Sequence, residues 1–232
     1  MNKYLLIITL FLTPLVADIH STRDVLAQYT NNHELIIKRY ERISAKWVEY
    51  YDHSGETWDL NMLLEAVEYA AEKHAGQVKG DKNQTPFIIH PIGVAEILWT
   101  VGEIRSCNVL IAAILHETLE CTDATIDELA TLFGPRVLKT IEELSYDPEL
   151  SWEENQQWQV ECAKHLSLDG QLLQLADRLY NIRDLTPPPY TWSPQKVDQY
   201  YEWTKRLLQC LKGTNSMIET YLTQLLNNHF YS

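Results

Sequence analysis

The segment "NVLIAAILHETLE", residues 108–120, is apolar on almost every side until it reaches His116. A helix that is apolar all round lies in the centre of a helical protein. The segment "GQLLQLADRLYNIRDL", residues 170–185, has the same character and carries Asp177 in its middle. Two buried helices need other helices around them, and an unpaired carboxylate inside one of them is unfavourable. These segments predict an all-α fold with polar groups directed into an interior cleft.

The other periodic segments are also helical, and no strand pattern competes with them. In residues 59–76 the apolar side chains keep the 3.6-residue period, and Gly76 suits the end of that helix. Pro91 suits the first position of the next helix, and the Gly134-Pro135 pair predicts a break in a later one. The polar, tyrosine-rich residues 22–52 add one or two helices ahead of these. Capping boxes at Thr125/Glu128 and Ser151/Glu154 predict the starts of two more helices. Ser193-Pro194 is expected to cap a helix that reaches Gly213, and a last helix is expected over residues 215–228.

The charge balance restricts the kinds of partner. The chain has 232 residues and a formal net charge of −13, which argues against a general nucleic-acid binder because such proteins hold phosphate backbones with Lys and Arg clusters. The apolar fraction of 45% is sufficient for a packed core. A small phosphorylated ligand remains compatible with this composition, because a metal ion and a few local cations can hold it.

The N-terminus has the three parts of a secretory signal peptide in order. Lys3 gives a charged start, Tyr4 to Val16 form an apolar run, and Ala17 is a small residue before the polar Asp18. The run is too short for a stable transmembrane span. We therefore predict a signal peptide at 1–17, a helical extension at 18–57 and the main domain at 58–230, and hence an exported protein. The alternative is a buried N-terminal helix on a cytoplasmic protein.

Export would permit disulfides among the four cysteines, which allow three complete pairings. No CxxC pair occurs, so a zinc ribbon is excluded. We expect most of the cysteines to be buried thiols, with Cys121 as the exception.

Four side chains with metal-binding groups stand at the ends or in the cores of the buried helices: His90, His116, Glu117 and Asp177. Each also has an ordinary structural interpretation. A histidine at the start of a helix is often a cap, and a buried aspartate often pairs with a nearby arginine, here Arg178 or Arg183. Together, however, two imidazoles and two carboxylates favour a site for manganese, iron or zinc over one for calcium.

Three stretches, "HAGQ…TPFIIHPIGVAEIL", "AAILHETLECT…FGPRV" and "LLQLADRLYNIRDL", resemble the His-Asp (HD) metal-dependent phosphohydrolase domain of RelA/SpoT-type alarmone hydrolases. The resemblance is greatest to the small single-domain branch, the metazoan SpoT homologues. It implies a multi-helix HD-domain fold and an enzyme that removes pyrophosphate from the 3′ position of ppGpp or pppGpp.

By position, the resemblance implies one divalent metal ion, with manganese as the first choice, held by His90, His116, Glu117 and Asp177. It implies Glu120 as the acid that helps to activate the attacking water. Glu120 follows His116 by about one helical turn, so both side chains can face one cleft. Cys121 stands beside it, at the position of a second catalytic acid.

The resemblance also implies that Asn181 and Tyr200 contact the nucleotide. Alternatively, Asn181 caps locally and Tyr200 packs in the core. Lys79 and Lys82 remain in the "KGDK" loop as cations that can meet part of a phosphate chain.

The chain departs from the family pattern at three places near the chemistry. Glu117 replaces the aspartate of the His-Asp pair, Cys121 replaces a carboxylate with a neutral thiol, and "SWEENQQWQVE" replaces a basic run that helps to hold phosphates. Three alternatives to an active alarmone hydrolase therefore stay open. They are an exported hydrolase for a less anionic nucleotide, a non-catalytic binding module, and an exported interaction protein.

Overall fold

Helices account for the regular structure of the described chain, which confirms the predicted all-α class. The computed structural model describes residues 13–185, 188 and 192–231. Within these residues, extended structure is limited to an isolated antiparallel bridge between Val78 and Pro86. A short 3₁₀ turn lies at Ala163–His165. In chain order the α-helices are α1 (Thr13–Tyr29), α2 (Glu34–Ser54), α3 (Thr57–Lys73), α4 (Ile89–Thr100), α5 (Cys107–Leu115), α6 (Thr118–Cys121), α7 (Ile126–Glu142), α8 (Trp152–Cys162), α9 (Leu168–Asp184), α10 (Pro194–Cys210) and α11 (Ser216–Tyr231).

The two segments predicted to be central, α5 and α9, lie at the centre. Every residue of α5 except Asn108 is buried, and this helix packs against α3, α4, α7 and α9. Helix α9 in turn packs against α4, α5 and α11. Because α4, α5 and α9 all touch one another, polar residues at matching heights on them can meet inside the protein.

The lead-in residues form two helices that share the main hydrophobic core. Helix α1 packs on α2 and α3, and α2 packs on α3 and α4. Leu26, Tyr40 and Trp47 are fully buried in the same cluster as the side chains of α5. The predicted extension, residues 18–57, is therefore integrated into the fold by apolar burial.

Helix α4 starts at Ile89, so the prediction that Pro91 takes the first helical position is wrong. The first four N–H groups of a helix have no intrahelical acceptor, so a proline is tolerated throughout the first turn. The earlier start makes His90 the second residue of α4, so His90 belongs to the first turn and is not the capping residue.

Most other predicted boundaries are confirmed. The capping boxes at Thr125 and Ser151 are both present, and Ser193 accepts a hydrogen bond from the N–H of Lys196 at the start of α10. Gly134 breaks the α7 helix with φ 83° and ψ 166°.

Four helix ends differ from the prediction. Helix α3 stops at Lys73, ahead of Gly76, which has φ 77° in the turn that follows. The α5 helix ends at Leu115 and does not continue into α6, α10 stops at Cys210, and α11 continues to Tyr231.

All four cysteines are free thiols. Cys107 is buried and Cys121 is exposed, as expected, but Cys162 and Cys210 are only half-buried. The prediction of mostly buried thiols is wrong for these two because each is the last residue of a helix that reaches the surface.

The predicted signal peptide, residues 1–17, lies mostly outside the described part of the chain. Helix α1 begins within it at Thr13 and continues past Ala17. Among the described helices, none combines the length and the apolar character needed to cross a bilayer.

Candidate metal centre

Three helices bring the donor atoms of His90, His116 and Asp177 together. His90 lies in the first turn of α4, His116 follows the last residue of α5, and Asp177 lies in the middle of α9. All three are buried, and their ligand atoms lie within 4.8 Å of one another. The two histidine Nε2 atoms are 3.1 Å apart. Asp177 Oδ1 lies 3.3 Å from Nε2 of His90 and 3.8 Å from Nε2 of His116.

Glu117 borders this cluster from the joint between α5 and α6. Its Oε1 atom lies 3.5 Å from His90 Nε2 and 3.6 Å from His116 Nε2. The side chain is 24% exposed, whereas that of Asp177 is 5% exposed, so Glu117 stands on the open side. The longer glutamate stem therefore still reaches the two imidazoles.

The donor set fits a divalent metal ion. Imidazole nitrogens with carboxylate oxygens suit first-row transition metals, and the histidine and aspartate atoms already converge. His116 Nδ1 lies 2.8 Å from the carbonyl oxygen of Ala113, so it carries the proton and Nε2 is left to face the cluster. Such a second contact commonly fixes the ring of a metal-binding histidine.

The ionised carboxylates of the cluster favour positive charge at its centre. Burial opposes charge on His90, yet hydrogen bonds with Asp177 and Glu117 raise its pKa to about 9. Burial also opposes ionisation of Glu117, but the two histidines lower the pKa of this carboxyl to about 2. The pKa of Asp177 lies well below its ordinary value despite burial, chiefly because of Arg178. Two ionised carboxylates beside two imidazoles supply the negative charge that a bound cation needs.

Glu120 stands next to the cluster on the short helix α6, not on a continuation of α5 as expected. Its carboxylate accepts a hydrogen bond of 2.7 Å from the backbone N–H of Tyr146. Although the residue is exposed, protein crowds its carboxyl group, and this burial together with the charge of Glu117 raises the pKa to about 7. A carboxyl group with such a pKa can accept or donate a proton near neutral pH.

Cys121 contacts Glu117 and carries no charge. Its Sγ atom donates to Oε2 of Glu117 at 3.4 Å, and its carbonyl oxygen accepts from Gln77 at 2.5 Å. Although the residue is exposed, protein surrounds part of its thiol, and this burial, followed by the charge of Glu117, raises the pKa of the thiol to about 12. The thiol therefore restrains the second oxygen of Glu117 but cannot act as a carboxylate.

The two lysines predicted to meet phosphates differ in their surroundings. Lys79 is paired with Asp184, and its Nζ atom lies 5.7 Å from the centre of the Tyr180 ring. That ring packs edge-on against His90, with centroids 4.9 Å apart, so Lys79 is close to the cluster. Lys82 is exposed and forms no ion pair with any described residue.

Asn181 and Tyr200 support the cluster from α9 and α10. Asn181 donates a hydrogen bond of 2.8 Å to Asp177 Oδ1, so it orients this carboxylate. Tyr200 is buried and packs against Trp192 and Trp203, with centroid distances of 5.5 Å and 5.1 Å. These contacts favour the local interpretation of Asn181 and the packing interpretation of Tyr200. A nucleotide could contact these residues only through polar atoms that these interactions do not occupy.

Sequence reasoning did not identify Tyr146 as a site residue. Tyr146 lies between α7 and α8, and burial raises the pKa of its phenol to about 12 while Arg178 opposes that rise. Its backbone orients Glu120. The surrounding "SYDPEL" segment has neither periodicity nor a motif, so only the tertiary structure reveals this residue.

The segment that replaces the basic run forms α8 and is partly structural. Asn155 is buried and exchanges hydrogen bonds of 2.9 Å with both the N–H and the carbonyl oxygen of Asp147. Gln156 is buried as well. Asn155 therefore holds the preceding turn, whereas Nε2 of Gln156 is buried without a hydrogen-bond partner among the described residues. One cation does contact α8, since the Nζ atom of Lys196 lies 5.3 Å from the centre of the Trp152 ring.

Comparison with known proteins agrees with this geometry. The family profile of the HD domain matches residues 66–201. The guanosine-3′,5′-bis(diphosphate) 3′-pyrophosphohydrolase MESH1 of Danio rerio is 46% identical over 165 residues, which cover 71% of this chain and 92% of the relative. MESH1 of Homo sapiens is 44% identical over 164 residues, covering 70% of this chain and 92% of the relative.

A solved structure is similar in fold and in sequence. It is described as a metazoan orthologue of SpoT that hydrolyses ppGpp. It superposes with a TM-score of 0.71 at 36% identity, covering 73% of this chain and 96% of the other. The shared part therefore includes nearly the whole length of these relatives.

Proposed function

Because the chain belongs to the HD-domain family, in the group of metazoan SpoT-like ppGpp hydrolases represented by MESH1, we propose that it is a metal-dependent nucleotide phosphohydrolase. Its nominal reaction is the removal of pyrophosphate from the 3′ position of guanosine-3′,5′-bis(diphosphate). The observation that carries this proposal is the buried convergence of His90, His116 and Asp177, in a chain that is 46% identical to such a hydrolase over 165 residues, which cover 92% of that relative.

We propose manganese as the ion, held by His90, His116 and Asp177 with Glu117 on the open side. When bound, the ion supplies Lewis acidity to the phosphoryl group and to the attacking water. Glu120 orients that water and accepts its proton, a role for which a pKa of about 7 is suitable. Asn181 keeps Asp177 in place through its hydrogen bond to Oδ1.

The proposed substrate contacts use polar atoms that have no hydrogen-bond partner among the described residues, together with two lysines. The amide oxygen of Asn181 and the hydroxyl of Tyr200 accept or donate no hydrogen bond among the described residues, so both are free for a nucleotide. Lys79, next to the Tyr180 ring, meets one phosphate group when it leaves Asp184. Lys82 extends from the same loop toward solvent and meets the outer end of the phosphate chain.

Cys121 favours a second candidate, a hydrolase with weak alarmone activity and a less anionic nucleotide as its better substrate. The thiol is neutral at a position where the resemblance implies a carboxylate. Helix α8 also lacks the cations expected there. A nucleotide with fewer phosphate charges would need less compensation from this site.

The test is an assay of Mn²⁺-loaded protein against ppGpp and a panel of nucleotides, with detection of phosphate and pyrophosphate. We expect pyrophosphate release from ppGpp that disappears in Asp177→Ala and persists in Lys139→Ala, a change on the exposed face of α7. Turnover of another nucleotide, with none of ppGpp, would establish the second candidate. No turnover of any nucleotide by metal-loaded protein would overturn the assignment as an enzyme.

A further inference from the structure

We propose that Arg178 is a positioning residue that fixes Asp177 with a single carboxylate oxygen facing the two histidines. This inference rests on the proposed function in treating the cluster as a cation site. Asp177 Oδ2 is paired with Nη2 of Arg178. The other oxygen, Oδ1, faces His90 and His116 and accepts the Asn181 hydrogen bond of 2.8 Å. The two oxygens of one carboxylate thus have separate partners.

Pairing between these two residues is unusual because they are adjacent on a helix. Neighbouring helical residues point about 100° apart, and their side chains do not ordinarily face each other. Two rings of α10 hold the Arg178 guanidinium in place, since its carbon lies 4.3 Å from the centre of the Trp203 ring and 5.5 Å from that of Tyr200. These rings meet edge-on at 5.1 Å and form the two sides of a clamp.

Stability alone does not explain a guanidinium at this position. Arg178 is only 6% exposed, and its Nε and Nη1 atoms are buried without a hydrogen-bond partner among the described residues. Stacking on the rings compensates part of the charge, but an apolar side chain would fill the same space without unpaired nitrogens. The buried guanidinium has a function if it keeps Asp177 in the one orientation in which Oδ1 can bind a cation.

Two roles for Arg178 predict opposite changes in cation affinity. If the residue acts only as a nearby positive charge, its removal relieves repulsion and strengthens the binding of a divalent ion. If it positions Asp177, its removal lets the carboxylate rotate and weakens binding, because supporting partners of metal ligands commonly contribute about 10–100-fold in affinity. The sign of the change therefore separates the two roles.

The experiment is a titration of Arg178→Met and Arg178→Lys with Mn²⁺ alone, followed by the electron paramagnetic resonance signal of the free ion. We expect Arg178→Met to bind Mn²⁺ about 10–100-fold more weakly and Arg178→Lys to recover part of the loss. Arg183→Met is the matched control, since Arg183 lies on the same helix over the Tyr221 ring at 5.6 Å and should leave affinity unchanged.

Affinity in Arg178→Met that equals or exceeds that of the unmodified protein overturns the proposal. Circular dichroism establishes that each variant is folded. If Arg178→Met does not fold, Arg178→Lys and Trp203→Leu test the proposal instead, because the proposal requires both variants to bind Mn²⁺ more weakly than the unmodified protein. Hydrolysis of ppGpp is measured in parallel. Failure of the unmodified protein to hydrolyse ppGpp would count against the proposed function, while the Mn²⁺ titration alone decides the role of Arg178.

Discussion

At the scale of single residues, three of the four candidate ligands are fixed by a second contact. The Ala113 carbonyl holds the ring of His116, Asn181 holds Asp177, and Cys121 touches the second oxygen of Glu117. Donors that are already oriented lose little conformational freedom when an ion binds, and such supporting contacts raise metal affinity. The cluster is therefore organised by the fold before any ligand arrives.

His116→Ala and Asp177→Ala should each abolish stoichiometric metal binding, because each removes one of the three converging donors. We expect about one Mn²⁺ per unmodified chain, since the described residues contain one such cluster. Elemental analysis of gel-filtered protein measures the content, and Lys139→Ala serves as the surface control. Full occupancy in both variants would contradict the assignment of these ligands.

Cys121→Asp should raise the turnover of ppGpp. The substitution supplies a carboxylate beside Glu120, where the thiol with its pKa of about 12 remains neutral. The measurement is kcat for Mn²⁺-loaded protein, with Cys121→Ser as a control that matches the size of cysteine and adds no charge. An equal rise in Cys121→Ser, or no rise in Cys121→Asp with metal still bound, would place the cause of weak activity elsewhere.

At the scale of helices, the close approach of α4 and α9 depends on Gly93. This residue lies about one turn after His90, and a Cβ atom built there would come within 2.0 Å of the Tyr180 ring. The same ring packs edge-on against His90 at 4.9 Å. The absence of a side chain at Gly93 thus lets α9 support the first histidine of the cluster.

Gly93→Ala should destabilise the protein by a net amount of about 1–2 kcal/mol. Alanine ordinarily favours a helix interior over glycine by about 1 kcal/mol, but overpacking a filled core costs about 1–3 kcal/mol, and the short contact with Tyr180 makes the second effect larger. Urea unfolding measures the free energy, and Mn²⁺ affinity should fall as Tyr180 moves His90. Gly80→Ala is the control, since nothing lies within 4 Å of its added Cβ. A gain in stability in Gly93→Ala would show that the helices separate freely.

Periodicity and capping residues were sufficient to predict the helices and their central pair. The apolar run of α5 and the capping boxes at Thr125 and Ser151 depend on local sequence, and the structure confirms them. Two parts of the site depend on distant residues and were not predictable in this way. Tyr146 reaches Glu120 from an irregular loop, and the Arg178 clamp needs two rings from α10. The start of α4 was mispredicted for a local reason, since a proline is tolerated at any position of the first turn.

At the scale of the whole molecule, one continuous core joins the lead-in helices to the helices of the cluster. The core side chains of α1 that are described, Leu26 and Ala27, come after the predicted cleavage position. Removal of residues 1–17 would therefore leave these contacts in place. This arrangement is compatible with a leader that is cut from a domain able to fold afterwards.

We propose that the chain is exported and cut after Ala17, because Lys3, the apolar run from Tyr4 to Val16 and Ala17 satisfy the three requirements of a signal peptide in order. Protein from fractionated cells should begin at Asp18 and lie outside the cytoplasm, as N-terminal sequencing and immunoblotting of the fractions would establish. Leu10→Lys, a charge within the apolar run, should keep the chain uncut, whereas Lys139→Ala should leave export unchanged. A protein that starts at Asp18 should unfold at the same temperature as the full chain. Cytoplasmic protein that retains Met1 would contradict export, and an intracellular alarmone would then be an accessible substrate for this site.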